Sequence, residues 1–85
     1  MKEDAAAPGP RRNYGLPPRD DPGFDAAAAD ALLEAARAGE TASAEQATGY
    51  YWGEPKLRPY VERLLERARS AGDERLEQLA KRFLS

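Results

Sequence analysis

Any catalysis by this chain of 85 residues would have to run without histidine or cysteine, since the sequence contains neither. Acid–base work would fall to carboxylates, lysines or tyrosines, and a serine nucleophile would have no imidazole beside it. Ser43, Ser70 and Ser85 read instead as a helix cap, a helix end and a terminus. Disulfides and thiolate metal sites are excluded by the same composition, which suits a reducing compartment. Asp20-Asp21 is an isolated acidic pair with no calcium-loop spacing after it, and no glycine-rich phosphate loop opens a helix. The expectation is a protein that is not an enzyme and that holds no cofactor and no metal.

Recognition chemistry is better represented. Tyr50-Tyr51-Trp52 puts three aromatics in succession between Gly49 and Gly53. They cannot share one face of a helix, so at least one should stay exposed unless a partner covers it. Farther on, Lys56, Arg63 and Arg67 fall in a narrow helical sector beside Tyr60, with Glu62 and Glu66 in another. Such a basic stripe suits phosphates or an acidic protein surface, or else it pairs with the acids of the first helix or forms a solvated flank. Aromatics and arginine dominate interface energetics, so the expected partner-binding set is Tyr50, Tyr51 and Trp52 as anchors with Arg58, Arg63 and Arg67 around them. The competing assignment places Trp52 and one tyrosine in the core.

Those residues need a scaffold, and the hydrophobic spacing supplies a helical one. Asp25 reads as the N-cap of a first helix anchored by Phe24, with a stripe of Ala28, Ala31, Leu32, Ala35 and Ala36 and a left-handed stop at Gly39. Ser43-Ala44-Glu45-Gln46 matches a capping box and predicts a short second helix from Ala44 to about Trp52. Pro55 and Pro59 suit the opening of a third, in which Leu57, Tyr60, Val61, Leu64, Leu65 and Ala68 share a face. Gly72 ends it and Asp73 caps a last helix with Leu76, Leu79, Ala80, Phe83 and Leu84 inward. The fold class read from this is all-α: a small bundle of three to four short helices over residues 24–85, closed by a C-terminal helical hairpin.

Residues 1–23 read differently. Pro8, Pro10, Pro17, Pro18 and Pro22 deny helix and sheet their hydrogen bonds, and apolar groups larger than alanine are few. This segment is expected to be a disordered arm that serves as a solubilising linker, with docking of Arg11 to Arg19 on a partner as an extended peptide the alternative. Charge is divided along the rest. Residues 24–54 hold Asp25, Asp30, Glu34, Glu40, Glu45 and Glu54 against Arg37 alone, whereas 55–85 are net basic. Mutual attraction between the two parts is the plain expectation. No apolar run is long enough to span a bilayer and no secretory pattern opens the chain, so a cytoplasmic location without membrane contact is expected.

Trp52-Gly53-Glu54-Pro55-Lys56-Leu57-Arg58, after an alanine-rich helix and before two more, faintly resembles the tryptophan–proline–arginine segment of the small delta subunits of formate dehydrogenases. The spacing from tryptophan to proline differs, and no family is assigned on it. The resemblance would imply an accessory subunit and adds no site residue.

The function expected from all this is a non-catalytic protein-interaction module, an accessory subunit or small regulatory adaptor, bound to a larger protein or to a second copy of itself. The alternative is a small helix-turn-helix-like nucleic-acid-binding regulator or antitoxin-type protein, with the second and third helices as the motif. Two prolines at the start of the third helix and a net charge of -2 weigh against nucleic acid.

Overall fold

The computed structural model describes residues 14–85, and among them it contains helices and turns but no strand. The order is α1 (Phe24–Arg37), α2 (Thr41–Thr48), a 3-10 turn (Pro55–Leu57), α3 (Arg58–Ala71) and α4 (Glu74–Leu84). The all-α bundle and its C-terminal hairpin are as expected.

The hairpin of α3 and α4 rests on one compact turn. Gly72, with φ of 71°, ends α3 in the left-handed region where a side chain would be strained. The Asp73 amide then donates back to the Ala68 carbonyl at 2.9 Å, closing a Schellman-type stop. The Asp73 carboxylate accepts from the Leu76 amide at 3.1 Å and so caps α4 as expected. Arg37, at the far end of α1, donates to the same carboxylate and ties the first helix to the hairpin turn. The Arg37 hydrogen bond, aided by the Leu76 amide, holds the Asp73 carboxyl below its ordinary range. A depressed folded-state pKa gives stability that is present above the unfolded value of about 3.9 and is lost as pH falls through the folded one. Glu77, lowered first by Lys81 and then by Arg69, acts in the same direction. Melting temperature should therefore fall on acidification below about pH 4. Asp73→Asn should melt lower near neutrality and lose less on acidification, and thermal scans of the two proteins over that range check it.

α1 lies at the centre, with contacts to α2, α3, α4 and the 3-10 turn. Its buried residues are Phe24, Ala28, Ala29, Ala31, Leu32, Leu33 and Ala35, a wider face than the expected stripe. Ala29 and Leu33 join it because neighbours pack on more than one side, and Ala36 is left half-buried. Alanine lets those neighbours come close, while Leu32, Leu33, Leu57, Val61 and Phe83 fill the space between them. The start of α1 departs from expectation. Gly23 occupies the cap position without a side-chain bond, and the Asp21 carboxylate accepts the Gly23 amide at 2.7 Å in the preceding turn. Asp25 thus lies inside the first turn, where its carboxylate is available for another partner. At the other end Gly39 is left-handed as expected, with the Glu40 amide returning to the Ala35 carbonyl.

α2 also differs. It begins at Thr41, directly after the α1 stop, so Ser43 is within the helix and the expected capping box does not form. It ends at Thr48 because Gly49 turns left-handed with φ of 80°, and the aromatic triplet leaves the helix. The Ser43 hydroxyl instead accepts from the Tyr14 hydroxyl at 3.1 Å. Tyr14 and Leu16 pack partly buried against the helices, and the Arg19 guanidinium stands 5.6 Å from the centre of the Phe24 ring. Among the described residues, packing thus includes Tyr14 and Leu16 as well as Phe24, since these side chains find apolar surface on the helices. The rest of the expected arm, 1–13, lies outside the described residues.

Candidate interaction surface

The loop from Gly49 to Glu54 is held at nearly every residue. The buried Thr48 hydroxyl donates to the Ala44 carbonyl at 2.8 Å and accepts from the Tyr50 amide at 3.1 Å. The Tyr50 hydroxyl donates to Asp25 at 2.7 Å, and its ring tilts against Phe24 at 6.3 Å. That bond to a carboxylate, with burial second, raises the Tyr50 pKa and keeps the phenol a donor. The Trp52 amide donates to the Glu45 carboxylate at 2.9 Å, and the indole meets Phe83 edge-on at 5.0 Å. Gly53, with φ of 89°, completes the turn, and the Glu54 amide closes on the Tyr51 carbonyl at 3.1 Å. Glu54 then caps the 3-10 turn by accepting from the Lys56 amide.

Between two anchored rings, Tyr51 points outward and is 76% exposed. The three aromatics therefore do not act alike. Tyr50 is fastened to α1, Trp52 is half-buried on α4, and Tyr51 alone is free to be covered.

The arginines expected to surround them are dispersed. Arg58 donates to the Leu84 carbonyl at 2.9 Å and holds the end of α4, a structural task. Arg63 lies over the Tyr60 ring at 5.4 Å. Arg63 and Arg67 line a cleft of about 270 Å³ between α1 and α3, shared with Ala26, Asp30, Tyr60 and Leu64. None of the loop aromatics enters that cleft. The expected six-residue cluster thus divides into the aromatic loop, a separate groove with Arg63 and Arg67, and Arg58 at the end of α4.

A second cleft of similar size was not anticipated. Trp52 forms one wall, Ala36 and Thr41 at the α1–α2 junction another, and α4 provides Arg75, Leu79 and Arg82. The spacing of 75, 79 and 82 puts these three on one face of α4, which is visible in the sequence. The wall opposite them comes only with the fold.

Charge pairing does not follow the expected attraction between segments. Among the described residues the bridges are Arg37 with Glu34 and Asp73, Arg69 with Glu66 and Glu77, and Lys81 with Glu77. Only Arg37–Asp73 joins the two parts, and there the cation belongs to the acidic one. Arg63, Arg67, Arg75 and Arg82 have no ion pair among the described residues. These same residues contain no cluster of three or more acidic side chains fit for a metal ion.

No Cα of α2 comes within 8 Å of a Cα of α3, because the anchored loop and the 3-10 turn intervene. The helix-on-helix packing of a helix-turn-helix is therefore missing. Comparison of the chain with protein-family models, curated proteins and solved structures gave no match.

Proposed function

We propose that this chain is a non-catalytic interaction module that docks on a larger protein through the loop carrying Tyr51. The observation that supports it is the mostly exposed tyrosine on a loop whose flanking aromatics are both fixed. Burying a tyrosine immobilises few torsions, and a loop already held in place loses little further freedom on binding. An exposed ring of that kind makes a good anchor for an interface and contributes nothing to the core. No helix among the described residues is long and apolar enough to cross a membrane.

The test places a photo-crosslinking phenylalanine analogue at position 51 and irradiates the protein in an extract of its source cells. The expected result is one discrete adduct, lost when excess unlabelled protein competes and retained when excess Tyr51→Ala competes. Because the ring is outside the core, Tyr51→Ala should change stability by no more than about 0.5 kcal/mol. An adduct with a second copy of the chain would make the module self-associating. Absence of any adduct, together with salt-sensitive binding to random duplex DNA, would replace this reading with the nucleic-acid one.

A further inference from the structure

The cleft beside Trp52 has a chemical character that the exposed tyrosine does not explain. Its six lining residues include two arginines and no carboxylate. Glu45 is not among them, and one oxygen of its carboxylate accepts from the Trp52 amide. Arg75 and Arg82 stand two turns apart on α4, about 10 Å along its axis. Leu79 lies between them and gives the cleft an apolar floor, with the half-buried indole as a wall. Thr41 adds a hydroxyl on the opposite side. At about 270 Å³ the space falls below the usual size of a cofactor pocket and is closer to that of a few side chains.

We propose that this cleft receives an acidic segment of the protein partner, with the methylene stems of two alternate glutamates over Trp52 and Leu79 and their carboxylates held by Arg75 and Arg82. The assignment deepens the interaction reading and rests on it. Charge complementarity selects the occupant: guanidinium groups bind carboxylates through paired N–H donors, and no acidic group lines the cleft to compete for them. In an extended peptide, alternate side chains point the same way and are about 7 Å apart. Two flexible arginines rooted about 10 Å apart can close on such a pair.

Trp52 is the chain's single tryptophan, so its fluorescence reports on the cleft directly. The probe is a short peptide of alternating glutamate and leucine, compared with its glutamine counterpart and with inorganic phosphate. A saturable change in emission is expected for the glutamate peptide alone, and added salt should weaken it. Arg75→Gln with Arg82→Gln should weaken binding by roughly tenfold or more, while the lysine pair should retain part of it. Both arginines are exposed, and unchanged circular dichroism verifies that the variants fold. No saturable change, an equal response to the glutamine peptide or to phosphate, or equal binding by the glutamine variant overturns the proposal. Crosslinking at position 51 is scored separately. An adduct that forms while the peptide fails removes the pocket and keeps the module, and peptide binding without any adduct does the reverse.

Discussion

Phe83→Ala is expected to leave the chain largely unfolded at room temperature. Phe83 is the largest fully buried side chain and joins α4 to the core while supporting Trp52 from beneath. Truncating a buried phenylalanine costs about 3–5 kcal/mol, and a domain of this size seldom gains more than ~3–5 kcal/mol from its core. No disulfide compensates, since there is no cysteine. The helical circular dichroism should collapse, and Trp52 emission should shift to that of an indole in water. Phe83→Leu, which keeps most of the volume, should remain folded with a lowered melting temperature. Full helicity in Phe83→Ala would mean that α4 is not needed to hold α1.

Leu64→Ala is the second large loss, at about 2–5 kcal/mol. Leu64 is buried at the centre of the inward face of α3, between Val61 and Ala68. Its neighbour Leu65 is only partly buried, so Leu65→Ala should cost distinctly less. Urea titrations of both variants give the comparison. Equal midpoints would mean that α3 is rotated from the face described. Loss of binding by Leu64→Ala at unchanged stability would make Leu64 part of an interface.

Residues whose burial depends on helical spacing alone are legible in the sequence. Val61, Leu64, Ala68, Leu79, Ala80 and Phe83 lie inward as their spacing requires, and Gly72-Asp73 joins the two helices as its chemistry requires. Expectation and fold part where two local patterns compete. Ser43 satisfies a capping motif, yet the α1 stop at Gly39 allows the next helix to begin before it. Asp25 suits a cap, but Gly23 takes that place and leaves the carboxylate for Tyr50. Which aromatic of the triplet faces outward is not readable from the triplet, because it depends on Asp25, Glu45 and Phe83 arriving from three separate helices. The Trp52 cleft is hidden for the same reason: its arginines lie on one helix and its walls on two others and a loop.

The tight turn at Gly72-Asp73 also bears on how the protein is made. A ribosome delivers α1 first, with Phe24, Leu32 and Leu33 ready to be covered, while the residues that cover much of that face come from α3 and α4. Translation proceeds at about 5–20 residues per second, so the part of α1 that α3 and α4 cover remains exposed for several seconds. Once α4 has cleared the exit tunnel, the short turn lets it fold back on α3 within microseconds, because the loop to be closed is small. Closure of this core is then limited by the arrival of α4, and in the meantime the nascent chain displays part of α1 to any chaperone that recognises exposed leucine and phenylalanine.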